Sequence, residues 1–114
     1  MMRRGDWDCR SLVPPSIVDR VLSYADTPVP RRLEGNTVPA CGLGWCTNFD
    51  GNWQNVPRDA FAVAGAGNQV LLAVPSQDLI FVRNGRALEE GPGRAMSWRG
   101  LERYLFDPLL EAVR

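Results

Sequence analysis

Apolar positions along this chain follow two rhythms. Between residues 60 and 84, short apolar runs alternate with turn residues. Strand candidates cover about 60–65, 69–75 and 79–84, jointed by Gly67-Asn68 and by Pro75-Ser76-Gln77-Asp78. Links this short permit hairpins but not parallel crossovers, so the pattern predicts an antiparallel meander. Both residue parities are apolar in the runs VLLAV and LIFV. Strands of that kind are covered on both faces, so something must pack on each side.

On either side of this block the spacing becomes helical. Pro15 is placed for a helix start, and Ile17, Val18, Val21 and Leu22 recur on one face until Asp26, Thr27 and Pro28 intervene. This predicts a helix over roughly 15–25. Near the other end Ser97 can cap a helix in which Trp98, Leu101, Leu105, Leu109 and Val113 make one stripe, with a break or restart at Asp107-Pro108.

Between these elements, residues 1–10 are polar apart from Trp7. Residues 26–40, with Pro28, Pro30, Gly35 and Pro39, read as a surface loop. The segment CGLGWCTNF is a short strand candidate that ends at the Asp50-Gly51-Asn52 turn, and a loop through Pro57 leads to Phe61.

The expected fold class is therefore α+β, an antiparallel β-meander flanked by N-terminal and C-terminal helices. Residues 1–114 make a single domain or part of one, with no second domain. The C-terminal helix covers one sheet face. Only the N-terminal helix is left for the other, so part of the cover is expected to lie outside this sequence.

Composition narrows the function. The 114 residues, 45% hydrophobic with four Trp, can bury one modest core. Thirteen acidic and thirteen basic residues are interspersed, which leaves no footprint for nucleic acid or an anionic membrane as a partner. The apolar runs are strand-sized, and MMRRGDWD lacks the apolar core of a secretion signal, so a soluble, cytoplasmic protein is expected.

All thirteen basic residues are Arg; Lys and His are absent. The usual general bases near neutral pH, Schiff-base chemistry and a Ser-Lys pair are thereby removed. The carboxylates that remain would need large pKa shifts to serve as bases.

Cys9, Cys41 and Cys46 form no C-x-x-C pair, and without His a zinc site would have to borrow a carboxylate, so no metal or cofactor is expected. If Cys41 and Cys46 lie on one extended run they are roughly 16 Å apart, outside disulfide reach. Free thiols in a reducing cytosol are the expectation.

Short motifs add little. Arg4-Gly5-Asp6 is the adhesion tripeptide that some integrins read, but three fixed residues recur by chance. Gly91 to Arg94, GPGR, is a turn. GAGNQV starts like a phosphate-binding glycine loop, but Val70 stands where the last Gly belongs and a strand pattern follows. DGNWQNVPRD lacks the spacing and closing Glu of a calcium loop and reads as a turn. Asp59 reads as a solvated loop charge, with Arg58 or another neighbour as the alternative partner.

Taken in order, GDWDCRSLVPPSIVDRVL, GLGWCTN, PRDAFAVAGAGNQVLLAVPSQDLIFVRNG and LFDPLLEAV resemble the C-terminal portion of the serine β-lactamase-like hydrolases. That superfamily holds class C β-lactamases, penicillin-binding proteins and related esterases and amidases. The resemblance implies the C-terminal part of a β-lactamase/transpeptidase-like fold, with the partner layer supplied by sequence elsewhere. It also implies acyl-enzyme chemistry on an ester, amide or lactam.

The family's Ser-x-x-Lys cannot be present without Lys, and neither Tyr24 nor Tyr104 begins a Tyr-x-Asn. No catalytic residue is therefore assigned to this chain. The family's third element, a cation, a hydroxyl residue and Gly on a strand, maps onto Val63-Ala64-Gly65 with only the Gly kept. The next residue, Ala66, maps onto the backbone donor of the oxyanion hole. Val63, Ala64, Gly65 and Ala66 are thus the expected substrate-binding residues. The expected partner is the missing N-terminal part of the hydrolase or a second copy of the chain. The competing expectation is a non-catalytic fragment or small interaction domain.

Overall fold

The computed structural model describes residues 2–23, 38–86, 88 and 97–113. Two short strands, β1 (Asp6–Trp7) and β2 (Arg10–Ser11), open the chain and are followed by α1 (Pro15–Leu22). Five strands come next: β3 (Ala40–Gly42), β4 (Trp45–Thr47), β5 (Phe61–Gly65), β6 (Gln69–Val74) and β7 (Leu79–Arg83). A helical tail closes the chain with α2 (Trp98–Leu101), a π-helical turn (Glu102–Phe106) and α3 (Asp107–Ala112).

The fold class is α+β. β3 to β7 form one antiparallel sheet in chain order, and β1 and β2 form a separate hairpin. The predicted meander is present, with register pairs Val63↔Leu71 and Leu72↔Phe81 at its centre.

Alternation along the strands sorts the side chains onto two faces. Cys46, Ala62, Val70, Leu72 and Val74 lie on the first and pack with Leu101, Phe106 and Leu110 of the helical tail, and with Trp53 and Val56 from the loop before β5. Trp53 sits against Phe106 edge to face at 5.3 Å and beside Trp98 at 5.5 Å. Three aromatic rings thereby fill the space between loop and helix.

The opposite face is unevenly covered. At one end Phe61 and Ala73 are buried, and α1 packs against β4 with Val18 inward. At the other end Ile80 and Val82 are each 58% exposed and Val63 is 36% exposed. Among the described residues nothing covers that end, so the expectation that both faces are covered holds for one face and half of the other.

The structure corrects several expectations. CGLGWC is not one strand. Leu43 and Gly44, with φ of 33° and 87°, form a two-residue turn that folds β4 back onto β3 and sets Cys41 opposite Cys46. These two cysteines form a disulfide, Cα to Cα 3.9 Å, in place of the free thiols expected; the 16 Å estimate assumed an extended run. Cys9 alone is a free, exposed thiol.

The tail does not break at Asp107-Pro108. Ser97 Oγ accepts the Gly100 N–H at 2.9 Å, as predicted, and the helix then widens into the π turn, where the Asp107 N–H reaches back five residues to the Glu102 carbonyl. The wider turn makes room for the Pro108 ring, which would clash in a regular helix. It also shifts the buried stripe to Leu101, Phe106 and Leu110, spaced five and then four. Leu105 and Leu109 are left at the margin and Val113 is exposed.

α1 ends at Leu22, short of the predicted boundary. Residues 24–37, which include most of the predicted loop and Tyr24, and the GPGR turn lie outside the described residues. No helix among the described residues is long and apolar enough to cross a membrane.

Candidate functional site

β5 carries the residues singled out by sequence. Its first half lies between two partners, with Cys46↔Ala62 and Thr47↔Phe61 on the β4 side and the full β6 ladder on the other. The β4 ladder stops at Ala62, because β4 itself begins at Trp45 beside the hairpin turn. Among the described residues Val63, Ala64 and Gly65 are therefore paired with β6 alone.

The direction of their backbone groups follows from the ladder's period. Asn48 N–H donates to the Ala60 carbonyl at 3.0 Å, so Ala60 and, two residues on, Ala62 turn their peptide groups towards β4. The same period points the Ala64 N–H and C=O past the end of β4, while Val63 and Gly65 face β6. Ala66 then enters the turn to β6, which contains Gly67 and Asn68 at φ of 76° and 62°.

Val63, Gly65 and Ala66 are exposed and Ala64 is half-buried. A Cβ placed on Gly65 meets no atom within 4 Å. The four predicted residues thus form one continuous stretch at the open end of β5. Its only polar groups are backbone, which can donate to or accept from an extended ligand but cannot ionise or attack.

Neighbouring side chains hold this stretch. Arg83 donates from Nη1 to the Asn68 carbonyl at 2.8 Å and from Nη2 to the Arg86 carbonyl, pinning the β5–β6 turn to the end of β7. Trp45 meets Phe61 edge to face at 5.2 Å.

The closed half of β5 rests on Asn48, which is fully buried. Its Nδ2 donates to the Trp53, Val56 and Pro57 carbonyls at 3.0, 2.8 and 3.3 Å, and its Oδ1 accepts the Trp53 N–H at 2.8 Å. One side chain thus bonds four backbone groups of the loop between β4 and β5, among them the buried Val56 carbonyl and Trp53 N–H. Arg58 lies across Gly51, where an added Cβ would fall 2.3 Å from Cζ, and donates to the Phe49 carbonyl at 3.2 Å.

Asp59 is exposed, as expected of a loop charge, but it also has a partner. It accepts the Ser76 N–H at 2.6 Å and the Ser76 hydroxyl at 2.9 Å, tying the start of β5 to the turn between β6 and β7. The sequence reading missed Asn48, Arg83 and the Asp59–Ser76 pair. The signal available was the polar residue itself: Asn48 directly after a strand run and Asp59 directly before one.

Arg4-Gly5-Asp6 is occupied locally. Arg4 pairs with Asp19 of α1 at 2.6 Å, and the Gly5 carbonyl accepts the Leu12 and Val13 N–H groups. A cavity of about 230 Å³ opens beside this pair, lined by Val18, Leu22, Thr47, Asp59 and Phe61 among others. It lies at the closed end of β5, away from Gly65 and Ala66.

Glu102 lies partly buried beside the loop before β5. Burial raises its pKa above the ordinary glutamate value, opposed by the Gln54 N–H that it accepts at 2.6 Å. No three His, Cys, Asp or Glu side chains converge as metal ligands among the described residues. No family model, curated protein or solved structure matches the chain.

Proposed function

We propose that this chain is the C-terminal segment of a β-lactamase-like serine hydrolase, which acts on an ester, amide or lactam through an acyl-enzyme once the nucleophile is supplied by the N-terminal part. The observation that carries the reading is the half-open β5. A strand with a free backbone edge, a bare Gly65 and an exposed Ala66 suits an acyl group held against N–H donors. The Ala66 N–H takes the role of oxyanion donor, which needs no side chain and works best where nothing bulky blocks the approach. Gly65 supplies that access, and Val63 and Ala64 line the strand without offering a cation for a substrate carboxylate. No catalytic side chain, metal or cofactor is contributed by this chain.

The isolated chain is therefore inactive. An acyl-serine probe is expected to leave it unlabelled, and labelling at Ser11, Ser16, Ser23, Ser76 or Ser97 would overturn the assignment. The positive test is the coding sequence upstream of Met1. A Ser-x-x-Lys and a Tyr-x-Asn, in frame or in a neighbouring gene, are expected, and their absence contradicts the proposal.

A second reading draws on the exposed Ile80, Val82 and Val63 of the open sheet face. In it the chain is a non-catalytic interaction domain that binds a protein partner or a second copy through this apolar patch. Sedimentation separates the two readings for self-association: this one gives a stable oligomer of the isolated chain, the first a monomer.

A further inference from the structure

We propose that the Cys41–Cys46 disulfide is a redox-sensitive latch that sets how firmly the β3–β4 hairpin covers the outer edge of β5. The bond joins facing positions of one hairpin, one residue pair from its turn. It ties the hairpin to itself and to no other element, so its loss leaves the β5–β7 meander and the helical layer connected as before.

The hairpin's hold on the sheet is short. β4 meets β5 at Cys46↔Ala62 and Thr47↔Phe61, continued by the Asn48 N–H to the Ala60 carbonyl. Beyond these, Trp45 touches Phe61, Cys46 packs in the core, α1 packs against β4, Thr47 Oγ1 makes a long 3.4 Å bond to the Ala40 carbonyl within the hairpin, and Leu43 at the tip is exposed. A hairpin attached over so few residues depends on its own rigidity to keep β4 straight against β5.

The two sulfurs differ in access. Cys41 is half-buried, whereas Cys46 is buried in the core cluster. A thiolate of an external dithiol therefore attacks Cys41 Sγ, forming a mixed disulfide and releasing Cys46 as thiolate, which takes up a proton. The reductant's second thiol then displaces Cys41, which leaves as a thiol, and the reductant departs as its own disulfide. Two electrons and two protons pass to the cysteine pair. The two sulfurs, no longer bonded, separate to van der Waals distance, about 3.5–4 Å. Facing positions spread, and the β4 end of the ladder frays towards Ala62.

The latch stands independently of the hydrolase reading. Its test compares amide hydrogen exchange in the oxidised chain and after dithiothreitol, with thiol content read by mass. Reduction is expected to add two hydrogens and to speed exchange at Cys46 and Ala62 at least tenfold, with β6 and β7 unchanged. Cys41→Ser, which leaves the buried Cys46 in place, should reproduce the reduced pattern without reductant, and Cys9→Ser should behave as the parent chain. Unchanged exchange at Cys46 and Ala62 would overturn the latch. So would loss of protection throughout β6 and β7, or an oxidised chain that gains no hydrogens on reduction.

Discussion

Phe61 and Ala62 lie between two strands, whereas Val63 to Gly65 have, among the described residues, a strand partner on one side only. What differs is the support: Asn48 and Asp59 fasten the loop that leads into the first half through six hydrogen bonds. The second is steadied from behind by Arg83 on the turn that follows it. A strand built this way offers a fixed backbone edge without side-chain chemistry, which is what an acyl-binding strand needs when the reacting groups come from elsewhere.

The strongest way to break this contrast is Asn48→Ala. It removes the partners of the buried Val56 carbonyl and the Trp53 N–H and one of two donors to the Trp53 and Pro57 carbonyls, so a loss on the order of 3 kcal/mol is expected in urea unfolding. The loop between β4 and β5 should lose exchange protection first. Asp59→Ala removes two bonds at an exposed turn and should cost about 1–2 kcal/mol, with Ser76 exchanging faster.

Gly65→Ala tests the open half directly. An added methyl has free space, and Gly within a strand carries an entropic cost, so a small gain of up to about 0.5 kcal/mol is expected. A marked loss of stability would mean that Gly65 is packed rather than open.

The smallest effect is electrostatic. The folded-state pKa of Glu102 lies above its unfolded value, so the folded chain binds the extra proton and this residue's contribution declines as pH rises from the unfolded through the folded pKa. Glu102→Gln should flatten that part of the stability profile between acidic and neutral pH. An unchanged slope would contradict the burial.

Much of the architecture could be read from local pattern. Strand-sized apolar runs separated by Gly67-Asn68 and Pro75 to Asp78 located β5, β6 and β7 within a residue, because turn chemistry and period 2 are local signals. The β3–β4 hairpin could not be read in this way. Its turn places Leu43 rather than Asn or Asp at positive φ, and the disulfide follows only once the turn is known. The π turn was hidden because helical stripes are counted at 3.6 residues per turn, and one wide turn moves every later position. For the candidate site, sequence gave the small residues at 63–66 but not the free edge, which depends on where a different strand ends. Asn48 and the Asp59–Ser76 pair act across 5 to 17 residues of separation, beyond the reach of any periodicity.

The most direct test of the half-open strand is residue-resolved amide exchange along β5 in the oxidised chain. Ala62, bonded towards β4, and Val63, facing β6, should be strongly protected, while Ala64 exchanges at a rate near that of an exposed turn. Protection of Ala64 equal to that of Ala62 would mean that the edge is already paired, and the proposed acyl-binding strand would have no room for its ligand.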